Sequence, residues 1–138
     1  MPLKTRLDPL VKWKEREVER AKLGLAVRLK ALAVAQERIA EISGQLGRLP
    51  SQATSVDELE LLDRAVARGR SDLEAAKKEW AAADQELRRS QEAYAQIHRQ
   101  AETFRRANER QRAVLIQEIE RQERKTLDEI ANLLRDRG

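Results

Sequence analysis

Six aliphatic side chains recur every seventh residue near the start of this 138-residue chain: Val11, Val18, Leu25, Leu32, Ile39 and Leu46. Their companions three residues on are Lys14, Ala21, Arg28, Ala35, Ile42 and Leu49. An isolated α-helix turns once in about 3.6 residues, so a 3.5-residue repeat held over five heptads keeps to one side only where two helices wrap around each other. The repeat predicts a left-handed coiled coil in place of a broad globular packing face. Lys14 and Arg28 weaken the companion row toward the N-terminus.

The local signals bracket this helix. Asp8-Pro9 fits a helix start, with Asp8 as N-cap and Pro9 at the first helical position. The helix is expected from about 8 to 49. Gly44, Gly47, Pro50, Ser51 and Thr54 then cluster as a hairpin loop at about 50–55. Ser55-Val56-Asp57-Glu58 has the S-x-x-E form of a capping box, which starts a second helix near Val56.

A second seam follows: Leu59, Val66, Leu73, Trp80, Leu87, Tyr94 and Ala101, with companions Leu62, Gly69, Ala76, Ala83, Ser90, Ile97 and Phe104. Small residues stand where large ones would face them. Gly69-Arg70-Ser71-Asp72 is the weak point. A break near 69–71 would leave 56–69 as a short helix of its own, since Gly costs about 1 kcal/mol against Ala in a helix. From Arg105 to Arg112 the row turns polar, and an apolar row resumes in a new phase at Ala113, Ile116, Leu127, Ile130 and Leu134. No Pro follows Pro50, so the second helix is expected to reach about residue 136.

The fold class expected is all-α: one domain over 1–138, an antiparallel two-helix coiled-coil hairpin whose longer second helix overhangs the first. Composition agrees, because much of the 41% hydrophobic content is Ala, aromatics are 3% and charged residues 38%. A sheet-based fold would want more Val, Ile, Thr and aromatics.

The same composition removes whole chemistries. With no Cys there is no disulfide, thiolate zinc site or thiol catalysis. One His cannot build a multi-histidine metal site, and His98 is expected at the surface. Acidic neighbours such as Asp128-Glu129 point apart on a helix. No catalytic, cofactor or metal site is expected, and the chain is not expected to be an enzyme. No segment approaches the roughly 20 apolar residues of a membrane span, and the charged N-terminus does not read as a signal peptide. A cytoplasmic protein without direct membrane insertion is the expectation.

Charge is uneven although acids and bases are mixed throughout. Residues 1–30 hold nine basic and four acidic groups, residues 31–97 nine and twelve, and residues 98–138 ten and eight. Most of these charges read as a solvated helix surface with i,i+4 pairs. The basic N-terminal end can steer an acidic partner. The overhang carries Val114, Leu115, Ile116, Ile119, Leu127, Ile130, Leu133 and Leu134 with nothing of its own to bury against, which points to another protein. Trp13 lies off the seam, as a partner contact or packed over Lys stems. Trp80, Tyr94 and Phe104 lie on the seam and read as core.

Two segments resemble the FliJ family. The opening, Arg6-Leu7-Asp8-Pro9-Leu10-Val11 and the charged run from Lys12 to Ala21, is similar to that family's basic residue followed by L-[DE]-x-[LV][LV]. The closing Glu123-Arg124-Lys125-Thr126-Leu127-Asp128-Glu129-Ile130-Ala131 resembles its E-x-K-x-L-D-E-x-A element. Lys4 stands where an aromatic residue is often found. The resemblance implies a flagellar type III export component without chemistry of its own. Such a stalk inserts its terminal end into the export ATPase hexamer, promotes assembly of that ring, couples it to the export gate membrane protein and escorts export chaperones. It implies a cytoplasmic protein, peripheral at the inner-membrane export apparatus. Carried onto this chain, the ATPase-facing residues are Leu7, Leu10, Trp13, Lys14, Arg16, Leu127, Asp128, Ile130 and Leu133. Leu62, Val66 and Leu73 near the hairpin tip are assigned to the gate on physical grounds.

The alternatives left open are the equivalent stalk of a virulence-type injectisome, a basic nucleic-acid-binding hairpin, and a scaffolding or membrane-surface coiled coil. A calculated pI of 9.7 favours the second, but nucleic acid is not expected as a partner because acids are mixed in almost everywhere.

Overall fold

The computed structural model describes residues 4–137. They form two helices, α1 from Asp8 to Gly47 and α2 from Val56 to Arg137. No strand is present among the described residues. The chain divides into two compact units. The hairpin unit is residues 20–95; the terminal unit is residues 1–19 with 96–138.

In the hairpin unit the two helix segments run antiparallel. Arg28 pairs with Glu86 at 3.7 Å and Arg38 with Glu79 at 3.9 Å, and Gly69 lies against Leu46. The partner's number falls as the first climbs. Leu25, Leu32, Ile39 and Leu46 are half-buried on one side, and Val66, Leu73, Trp80 and Tyr94 on the other. The deepest side chains are Ala35, Ala76 and Leu87. No large side chain among the described residues is fully buried, because two helices share a single seam and every seam residue keeps one flank toward water. Leu59, at the start of the second row, is exposed. Arg28 resolves its own oddity in the companion row: it stays exposed and reaches across to Glu86. These surface ion pairs add little stability.

The sequence left a break near 69–71 open, and none occurs. α2 is continuous there, and no glycine among the described residues takes a positive φ. A Cβ on Gly69 would stand 2.9 Å from Leu46 Cγ and closer still to Cδ2. The glycine is therefore the hole that receives the Leu46 knob. Packing at this contact offsets the roughly 1 kcal/mol cost of a helical Gly.

The loop is closed by its own groups. α1 stops at Gly47, two residues earlier than expected, as the Arg48 N–H is shared between the Gly44 and Gln45 carbonyls at 3.1 and 3.2 Å. Leu49 N–H follows onto Leu46 O at 3.3 Å. That tightening uses up the last carbonyls, and Pro50 cannot continue the helix. At the far side the Glu58 N–H donates to Ser55 Oγ at 3.2 Å, the N-cap bond expected. The Glu58 carboxylate reaches one residue further back than a simple capping box, accepting from Thr54 N–H at 2.9 Å and from the Thr54 hydroxyl. Those two bonds hold its pKa below the ordinary value.

In the terminal unit the seam keeps its phase. Ala101 and Asn108 are buried, and Phe104, Gln111 and Leu115 are half-buried. The change of phase expected after Arg105 does not occur. The inner row runs on by sevens through polar residues, and the resumed row from Ala113 onward lies in solvent.

Candidate partner interface

The terminal unit is built around a polar layer. Thr5 and Asn108 are buried, and the Thr5 hydroxyl donates to Asn108 Oδ1. Asn108 Nδ2 donates to Asp8 Oδ1 at 2.8 Å, and Arg112 donates to the same oxygen at 3.1 Å. Thr5 N–H donates to Asp8 Oδ2 at 2.8 Å. Asp8 is thus not the N-cap. The Val11 N–H bonds Leu7 O at 2.9 Å, so Leu7 holds the cap position and Asp8 sits inside the first turn. Its carboxylate folds back onto Thr5, a T-x-x-D relation at 5–8 that is visible in the sequence. The bond from Asn108, that from Thr5 N–H and the Arg112 charge together hold the Asp8 pKa below its ordinary value, against a smaller upward effect of desolvation. Arg112 Nε and Gln111 Oε1 are buried without a hydrogen-bond partner, so the layer is only partly satisfied.

Beside it opens a cleft of about 580 Å³, lined by Lys4, Thr5, Asp8, Pro9, Lys12, Arg16 and Arg112. Four cations surround one carboxylate that is already engaged. The cleft is electropositive and suits an acidic partner.

Of the residues expected to face a partner, Leu10, Trp13 and Arg16 are exposed on α1, and Leu127, Asp128, Ile130 and Leu133 on α2. Leu7 is half-buried. Lys14 is turned inward: its ammonium bonds Glu17 at 3.1 Å and Gln100 at 3.0 Å. It also sits 4.9 Å from the Trp13 ring centroid and 5.8 Å from that of Phe104. A lysine in the seam is tolerated here because its stem packs while its charge meets two rings and two oxygens. In the hairpin unit Leu62, Val66 and Leu73 are half-buried on the seam, while Val56, Leu59 and Leu61 are the exposed large residues at the tip.

One surface escaped the sequence reading. Leu23, Val27 and Val34 are 57–69% exposed. At i, i+4 and i+11 they share the face of α1 opposite its seam. A second apolar periodicity beside the dominant one was the available signal.

From Ile116 to Arg137 every described residue is exposed. Val114, Ile116, Ile119, Leu127, Ile130, Leu133 and Leu134 are all 42–67% exposed, although this segment is fully helical. Among the described residues no cluster of His, Asp or Glu could hold a metal ion, and no helix is long and apolar enough to cross a membrane.

No curated protein and no solved structure matches this chain. The family model described as flagellar FliJ protein matches residues 3–137, spanning the paired helices, the basic cleft and the unpaired apolar end. The chain belongs to the FliJ family, and with it to the proteins of flagellar export.

Proposed function

We propose that this chain is the coiled-coil stalk of the flagellar export ATPase. Its terminal unit enters the ATPase hexamer, promotes assembly of the ring and couples it to the export gate in the membrane. It escorts export chaperones as a further duty and stays peripheral at the inner-membrane apparatus. The observation that carries the reading is the pairing, in one unit of a FliJ-family chain, of a basic cleft with a helical apolar end that has no internal partner. A ring whose subunits change state during turnover offers a central element successive, different contacts, and those differences alone can bias its equilibrium.

The roles divide by exposure. Leu10, Trp13, Lys12 and Arg16 on α1, with Leu127, Asp128, Ile130 and Leu133 on α2, make the ATPase contact. Leu7 and Lys14 hold that end together from within. The gate contact lies at the hairpin tip, where Leu62, Val66 and Leu73 support exposed Val56, Leu59 and Leu61.

The test is the ATPase rate and oligomeric state of the cognate export ATPase with and without the chain. Stimulation together with hexamer formation is expected. Reversal of charge at Lys12 and Arg16 should weaken stimulation at low salt and leave helicity intact. No effect of the native chain on an intact ATPase overturns the proposal.

A further inference from the structure

In the hairpin unit α1 carries a second heptad row, on the side away from α2. Stepped alternately by threes and fours, it runs Arg20, Leu23, Val27, Lys30, Val34 and Glu37. All six are exposed. The rows beside it are small, with Ala26 and Ala33 on one edge and Gly24 and Ala31 on the other. A helix laid along this row can therefore approach closely. The charges of α1 nearer the seam are spent within the hairpin, Arg28 on Glu86 and Arg38 on Glu79. Arg20, Lys30 and Glu37 on the outer row make no ion pair or hydrogen bond with any described residue.

We propose that the free protein pairs with a second copy of itself along this row, antiparallel, about a two-fold axis between Arg28 and Leu29. Arg20 then stands level with Glu37 of the second copy, Leu23 with its Val34, and Val27 with its Lys30. Symmetry repeats each contact, so one patch serves both copies. Any row spaced by threes and fours can be reversed onto itself, and it is the charges that single out this occupant and this alignment. Arg20 meets Glu37 at both ends of the pair. Sliding one copy by a heptad sets Arg20 against Lys30 in one direction and Leu23 against Glu41 in the other. A parallel pairing in register sets Arg20 against Arg20 and Glu37 against Glu37. Each alternative lacks the end pairs or meets repulsion.

Lys30 is the polar member of the new seam. One lysine in such a row specifies register at a cost in stability. Its stem lies beside Val27 while its charge reaches water, much as the Lys14 stem packs in the first seam. The paired length, 20–37, is about 26 Å of helix, short of what a permanent interface needs. The dimer is therefore weak and reversible. It belongs to the chain by itself and does not rest on the ATPase reading.

The experiment is sedimentation equilibrium of the purified full chain, from micromolar to about millimolar concentration. A monomer–dimer equilibrium is expected. Leu23→Asp should abolish it with the circular dichroism unchanged, since Leu23 is exposed. Arg20→Glu and Glu37→Arg should each weaken pairing at least about fivefold at low salt. Mixed together they should pair as tightly as the native chain, because opposite charges then meet in both end layers. Direction is read by cross-linking, which is clean because the chain has no cysteine of its own. Leu23→Cys and Val34→Cys variants should form a disulfide when mixed. Oxidised separately they should form none, because like positions are about 17 Å apart along the pair. A native chain that stays monomeric throughout overturns the proposal. So does a dimer that survives Leu23→Asp, or self-cross-linking of either cysteine variant.

Discussion

The hairpin unit buries Ala35, Ala76 and Leu87, whereas the terminal unit buries Thr5 and Asn108 beside Val18 and Ala101. The first is held by a repeat of apolar contacts, with Leu46 seated against Gly69 near the loop. The second is held by a constellation that is satisfied at one alignment only, because Thr5, Asp8, Asn108 and Arg112 must meet together. Apolar seams supply stability, and a polar layer at one end specifies register.

The largest effect is expected from the seam. Leu87→Ala should cost about 2–4 kcal/mol by urea unfolding, the range for emptying a core leucine site. A loss below about 1 kcal/mol would mean that the seam closes around the gap.

Asn108→Ala should cost about 1–3 kcal/mol, since it strands the Thr5 hydroxyl in a buried site. The paired change Thr5→Val with Asn108→Leu should recover most of that loss and leave hydrogen exchange in the first turn of α1 faster than in the native chain. Native-like protection there would show that the polar layer does not fix alignment.

Two glycines of the hairpin unit make a finer comparison. Nothing lies within 4 Å of a Cβ built on Gly24, whereas one on Gly69 runs into Leu46. Gly24→Ala should raise stability by about 0.5–1 kcal/mol. Gly69→Ala should lower it by about 1 kcal/mol net, as overpacking outweighs the gain in helix propensity. Thermal unfolding of both variants checks the opposite signs.

The smallest effect is on pH dependence. Asp8 has a depressed pKa in the folded chain. Its contribution is therefore complete above the ordinary carboxylate range and is lost as pH falls through the folded value. Acid unfolding of native chain and Asp8→Asn should converge at low pH and diverge above it, by less as salt is added. Parallel curves would remove Asp8 from the account.

Much of this molecule was legible in its sequence, because a coiled coil writes its packing into a fixed period. Of the two seams and their companion rows up to Phe104, only Arg28 and Leu59 are exposed. What the sequence left open or misled on has a common cause. Gly69 left a break open because propensity is local, while its use depends on Leu46 across the hairpin. Asn108 and Gln111 read as a loss of phase because apolar character marks the inner row elsewhere in both helices. Counting sevens from Ala101 reaches Asn108 and Leu115 regardless of polarity, and Thr5-x-x-Asp8 was the missing half of that layer. The partner-facing residues were legible only as exposure and charge, and Lys14 shows the limit: its position in the companion row foretold the inward turn better than its charge did.

The unpaired end of α2 also behaves unlike an isolated peptide of its length. Starting a helix is the costly step, and adding residues to an existing one is cheap. Here the first turns are already fixed by the packed residues up to Leu115, so the segment from Ile116 to Arg137 inherits a nucleus it did not have to form. It should fray from Arg137 inward, residue by residue, without a cooperative transition of its own. A protein that grips it late in the sequence draws the helix out, and one that grips near Ile116 finds it ready-made. The ordering cost of binding is thus graded along the segment, lowest beside the packed unit and rising toward the free end.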